Sequence, residues 1–129
     1  MGYVIRKLEP RLYRVNGVES GLSGLDEVAG MVRRVRLMEQ GGYECTMVDY
    51  ADFNYQHPLW AQSTLFRRLA VRFERLLVHP DVMKAANWCA DALLNQWCIF
   101  PGESEPVRIT QGMFSGCRGT NFINTLLLL

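Results

Sequence analysis

Apolar residues at Leu25, Val28, Val32, Val35 and Met38 recur at three- and four-residue steps and predict a helix over residues 25–38. Ser23 stands where an N-cap belongs, with Asp26 three residues on, and Gly41 and Gly42 should stop the helix. The pattern then changes period. Over Tyr43–Tyr50, polar Glu44 and Thr46 alternate with Tyr43, Cys45 and Met47, which predicts a strand ending at Asp49. Pro58 marks a second helix, Leu59 to Val78, through Leu65, Leu69, Phe73, Leu76 and Leu77. Pro80 breaks it and opens a third, Asp81 to Trp97, carried by Val82, Ala85, Ala86, Trp88, Cys89 and Ala92. Cys98 to Ile109 reads as a hairpin around Pro101–Ser104. Gly112 to Gly119 is a glycine-bearing loop, and Thr120 to Leu129 a last helix. Residues 1–19 alternate weakly around Pro10 and are expected as short strands or extended chain, joined to the rest by a turn-rich junction from Ser20 to Gly24.

The last helix runs into Leu126–Leu129 with no capping residue after it, so the chain is expected to be cut inside a helix. An exposed leucine end of that kind implies marginal stability and a tendency to aggregate. With 129 residues the length suits one domain. A formal charge of +1 gives no global signal for nucleic acid. The basic residues are nevertheless grouped: Arg6, Lys7, Arg11 and Arg14; Arg33, Arg34 and Arg36; Arg67, Arg68, Arg72 and Arg75. The third group reads as a solvated helix face, with RNA phosphates as the alternative partner. Cys45, Cys89, Cys98 and Cys117 form no C-x-x-C pair, which argues against a zinc site. The N-terminus lacks a signal-peptide apolar run, so the thiols are read as reduced and the location as intracellular, with no membrane span.

Two clusters carry candidate chemistry. The first is Asp49-Tyr50-Ala51-Asp52-Phe53-Asn54-Tyr55-Gln56-His57. Carboxylates at a strand end suit Mg²⁺, which takes hard oxygen ligands and leaves positions for water and phosphate. In nucleotidyl transfer such ions stabilise the attacking and leaving oxygens. The bland reading is a polar turn with Asp52 or Asn54 capping the next helix. The second cluster is Ser115-Gly116-Cys117-Arg118-Gly119-Thr120-Asn121-Phe122-Ile123-Asn124. Its glycines allow close backbone approach to a ligand. Thr120 and Asn124 lie four apart on one helical face, so Ser115, Thr120 and Asn124 could converge on sugar hydroxyls. The bland reading is a loop with Thr120 as N-cap. His79 reads as a turn residue, His57 as structural, and Trp60, Trp88 and Trp97 as core or interface.

Taken together, Ser115-Gly116-x-x-x-Thr120-x-x-x-Asn124 resembles the B motif of viral RNA-dependent RNA polymerases. Asp49-Tyr50-x-Asp52-Phe53-Asn54-x-Gln56-His57 resembles their A motif in the form found in totivirus-like double-stranded RNA viruses. Arg6-Lys7-Leu8-Glu9 with Arg11 and Arg14 is a weaker match to the basic motif that contacts incoming triphosphate.

The resemblance implies an α+β fold: a partial palm with some fingers of a right-hand polymerase, truncated before the Gly-Asp-Asp hairpin. Residues 1–42 would be a fingers-like segment, and residues 43–129 a palm segment with a helical insertion at 58–97. It implies Asp49 as the metal-binding aspartate for Mg²⁺ or Mn²⁺, with Asp52 either assisting or capping. Asn54 would stand where many relatives carry a second, ribose-recognising aspartate. Asn124, with Ser115 and Thr120, would sense the 2′-hydroxyl, Gly116 would let the loop flex, and Arg6, Lys7 and Arg11 would neutralise triphosphate charge. The implied partners are RNA template, nascent RNA, ribonucleoside triphosphates and a viral capsid protein. The implied location is the cytoplasm, inside the virus particle for the intact protein. No Gly-Asp-Asp occurs in the sequence, so this polypeptide alone is expected not to polymerise RNA. Two other readings compete: a non-catalytic, virus-derived RNA-binding or interaction remnant, and a nuclease built on Asp49 and Asp52 that lacks further acidic ligands.

Overall fold

A computed structural model describes residues 1–12, 15, 24–42, 44, 46, 49, 51–117 and 119–128. The strand expected over 43–50 falls largely outside these residues; Glu44, Thr46 and Asp49 are described, exposed and in no strand. Ser23 and most of the 20–24 junction also lie outside them.

The centre of the fold is a helical hairpin, α4 (Leu59–Arg75) against α5 (Pro80–Leu94). Pro58 precedes α4 in extended geometry, as a residue that cannot donate a backbone hydrogen bond should. On α4 the buried line runs Leu59, Gln62, Ser63, Phe66, Ala70 and Phe73; on α5 it is Ala86, Cys89, Ala90 and Leu93. The small Ala and Cys side chains of α5 let the phenylalanines of α4 seat against it. The connection explains why α4 ends three residues before the expected Val78. Val78 N–H donates to Phe73 O and Leu77 N–H to Glu74 O, a Schellman stop with Leu77 at φ +53. His79 then caps α5, its Nδ1 accepting from the Asp81 amide, and Pro80 opens the first turn.

Two short helices replace the strands or extended chain expected at the N-terminus: α1 (Gly2–Ile5) and α2 (Glu9–Leu12). Val4, Ile5 and Leu12 enter the core, and α1 packs on α5. The weak alternation was tertiary burial of a one-turn helix, which has too few residues to display a helical period. α5 stops at Leu94, short of Trp97, because Trp97–Cys98 (β1) pairs antiparallel with Val107–Arg108 (β2). This is the expected hairpin. α6 (Thr120–Leu128) packs on α4 through Phe122 and Ile123. Leu126 and Leu127 are half-buried against the core, which corrects the expectation of an exposed leucine end at these two positions; Leu129 lies outside the described residues.

The helix α3 (Leu25–Glu39) forms as expected and ends with Gly41 at φ +66. Gly24, not Ser23, occupies its N-cap position. Its apolar stripe is exposed, Leu25 at 88% and Val28 at 58%, so its helical period marks a face that the described residues do not cover. Trp60, Trp88 and Trp97 are likewise exposed rather than core residues. Among the described residues no helix is long and apolar enough to cross a membrane.

Candidate nucleotide cleft

An open cleft of about 1100 Å³ lies between the segment after Asp49 and the glycine-bearing loop. Its wall includes Asp52, Asn54, Ser115, Gly116, Thr120 and Asn124, six of the residues singled out in the sequence. They are brought together by a backbone seam. Met113 N–H donates to Asn54 O, Gly112 N–H donates to His57 O, and Pro58 bridges Gln111. The Gln111 side chain adds a bond to Tyr55 O at 3.1 Å. Gly112 sits at φ +92 with the Tyr55 backbone 3.4 Å from where a Cβ would be, so glycine alone permits this approach without strain.

At the floor, Asn124 Nδ2 donates to Asn54 Oδ1 at 3.2 Å, across seventy positions of sequence. Both residues are half-buried. Asn124 Oδ1 is itself buried and finds no hydrogen-bond partner among the described residues. This amide at the floor of the cleft is therefore half-satisfied, with a buried acceptor that lacks a donor. Thr120 is differently used. Its Oγ1 donates within the loop, towards Cys117 O at 2.8 Å and Phe114 O at 3.2 Å, so it braces the loop and keeps only acceptor capacity for a ligand. Gly116 has φ +79 and open space around it, and Ser115 is exposed.

Asp52 lies at φ +50, and its carbonyl accepts from the Tyr55 and Gln56 amides in a tight turn. Neither Asp52 nor Asn54 caps α4, whose N-cap position is Pro58, so the helix-capping alternative for both residues is excluded. Asp49 is exposed and stands off the cleft wall. Arg6, Lys7 and Arg11 are exposed on the α1–α2 segment, from which only Glu9 reaches the wall. Among the described residues the wall holds no Lys or Arg, and Arg118 lies outside them. Asp49 and Asp52 offer the hard oxygens that Mg²⁺ takes. No group of three or more His, Cys, Asp or Glu is gathered among the described residues, so these residues alone do not complete a cation site.

The sequence reading passed over Gln62. Fully buried on α4, it donates from Nε2 to His57 O at 3.0 Å and to Gly112 O at 2.8 Å. The signal was present: a glutamine three residues after Leu59 and four before Phe66, on the buried stripe. His57 is buried with its ring edge-on to Phe53 at 4.8 Å, in keeping with a structural role.

A family described as viral RNA-directed RNA polymerase matches residues 16–127. The chain belongs to this viral RNA-directed RNA polymerase family. The match spans both clusters that wall the cleft, and Arg6, Lys7 and Arg11 precede it. The chain is also 31% identical over 101 residues to the probable RNA-directed RNA polymerase of Saccharomyces cerevisiae virus L-A. That similarity covers 78% of this chain and 7% of the relative, so this polymerase-family chain spans a small part of the relative's length. No solved structure matches it.

Proposed function

We propose that this chain is the palm portion, with some fingers, of a polymerase that joins ribonucleoside triphosphates on an RNA template, and that the cleft receives the sugar of the incoming nucleotide. The observation that carries this reading is the Asn124–Asn54 hydrogen bond. It ties the two motif-bearing segments into one polar floor and leaves Asn124 Oδ1 buried without a partner among the described residues, an acceptor that a ribose hydroxyl seated on the floor would satisfy. Discriminating ribose from deoxyribose requires a group that is left unpaired when the hydroxyl is missing, and a buried amide oxygen is such a group.

Around that floor the roles divide. Thr120 holds the loop in shape, Ser115 and the glycine-rich backbone face the nucleotide, and Gly116 lets the loop adjust. The N-terminus of α6 opens at Thr120 and Asn121 onto the cleft and favours phosphate. Arg6, Lys7 and Arg11 sit beyond the wall, and we assign them to triphosphate or RNA that extends out of the cleft. Asp49 is the residue we assign to Mg²⁺ or Mn²⁺, in a centre completed by carboxylates of a longer polypeptide. Template and nascent RNA are the partners this activity requires. A viral capsid protein and a cytoplasmic site within the virus particle follow from the same reading.

The test is single-nucleotide incorporation by a polypeptide carrying this segment together with a Gly-Asp-Asp hairpin. Wild type should prefer a ribonucleotide to its 2′-deoxy analogue, and Asn124→Ala should lose most of that preference, on the order of 10-fold or more. An Asn124→Ala protein with undiminished preference would remove Asn124 from sugar selection.

A further inference from the structure

We infer that Gln62 is a positioning residue for sugar selection, the clamp that fixes Asn54 against Asn124. The inference rests on the nucleotide-cleft reading and extends it to a residue outside both motifs. Gln62 has no exposed surface, yet it lies on a stripe otherwise built from Leu59, Phe66, Ala70 and Phe73. A buried amide on such a stripe costs stability unless it is hydrogen-bonded; here the donors are used, while the buried Oε1 has no partner among the described residues. Its two N–H groups go to two carbonyls on the two segments joined at the seam, His57 O and Gly112 O. Both acceptors are carbonyl oxygens, so the amide orientation is fixed: the oxygen in place of the nitrogen would face two oxygens.

The consequence for the cleft follows from chain connectivity. His57 is three residues after Asn54, and Gly112 directly precedes Met113, whose N–H holds Asn54 O at 2.9 Å. Gln62 therefore spans the seam at the point where both cleft walls leave it. It anchors them to α4, which is packed along its length on α5 and also carries α6, the helix of Asn124. Asn54 and Asn124 reach one another only while the two walls keep this spacing. Alongside the Pro58–Gln111 bridge, Gln62 is a buried side-chain link between their seam and the helical pair. Gln62 touches no nucleotide on this account and acts through the placement of Asn54.

The experiment compares wild type with Gln62→Met, Gln62→Glu and Cys89→Ala in the polymerase that carries this segment. The readout is kcat and KM for a ribonucleoside triphosphate and its 2′-deoxy analogue. Gln62→Met keeps the volume and removes both donated bonds. It should lower ribose-over-deoxyribose discrimination on the order of 10-fold, through a lower kcat/KM for the ribonucleotide, because small displacements at a reacting site carry large rate effects. Cys89→Ala, in the core on α5, tests general loosening and should leave the ratio at the wild-type value. Gln62→Glu guards against a misfolded Met variant. Its protonated carboxyl can donate one bond and its carboxylate none, so discrimination should fall as pH rises. Wild-type discrimination in Gln62→Met, or a pH-independent, wild-type ratio in Gln62→Glu, would overturn the clamp. A wild-type enzyme with no sugar preference would instead overturn the cleft reading on which the clamp rests.

Discussion

Gly119→Ala should be far more damaging than Gly116→Ala, although the two glycines are three residues apart in the same loop. Both have positive φ, +97 and +79, so any side chain costs about 1–2 kcal/mol in backbone strain. The surroundings differ. A Cβ on Gly116 meets nothing within 4 Å, whereas one on Gly119 would lie 2.7 Å from Ile5 Cδ1 and 2.8 Å from Met1 Sδ. The Met1 thioether can swing aside, but Ile5 is fully buried in the core and can move only by displacing its neighbours. Forcing a methyl into such a contact adds about 1–3 kcal/mol. The total for Gly119→Ala is therefore about 2–5 kcal/mol, against about 1–2 kcal/mol for Gly116→Ala. Urea unfolding followed by fluorescence of the three tryptophans would measure both. Adding Ile5→Val, which removes Cδ1, should recover about 1 kcal/mol of the Gly119→Ala loss, a coupling expected only between touching groups. Equal destabilisation by the two glycine substitutions, or strict additivity with Ile5→Val, would refute the packing of α1 on the glycine loop.

Two further outcomes concern the scaffold. Leu77→Gly should raise the unfolding free energy by about 0.5–1 kcal/mol, since Leu77 is held at φ +53 in the α4 stop while 93% exposed; a lower melting temperature would count against the Schellman geometry. Phe66→Ala should cost about 3–5 kcal/mol, because the ring is fully buried between α4 and α5, and a loss under 1 kcal/mol in urea unfolding would mean that the helical hairpin is packed otherwise.

The helices α3, α4, α5 and α6 were legible from apolar period and from Pro58, Pro80 and Gly41, because capping and stop signals are local chemistry. Their ends were less so. The α4 stop uses a leucine where a glycine is usual, so Leu76 and Leu77 extended the apparent apolar run past the true end. α5 overran by three residues for the opposite reason: Trp97 fits a helical pattern, and only pairing with Arg108 draws it into a strand. α1 and α2 were misread because four-residue helices show no period of their own. The candidate site was legible where chemistry is written in residue type and spacing, as in Asn54, Ser115, Gly116, Thr120 and Asn124. It was not legible where a side chain acts by touching backbone far away in sequence. Gln62 binds a carbonyl fifty residues on, and Thr120 turns its proton inward to the loop, both facts of tertiary placement.

Under the proposed function, this segment is part of an RNA polymerase whose cation Asp49 holds. The most direct test is template-dependent RNA synthesis by a polypeptide carrying the segment together with a Gly-Asp-Asp hairpin, comparing wild type with Asp49→Ala. Asp49 is exposed and off the cleft wall, so its loss should leave folding intact. The account predicts RNA synthesis by wild type and none above background from a folded Asp49→Ala protein. A folded wild-type protein without synthesis, or an Asp49→Ala protein as active as wild type, would contradict it and favour a non-catalytic RNA-binding remnant.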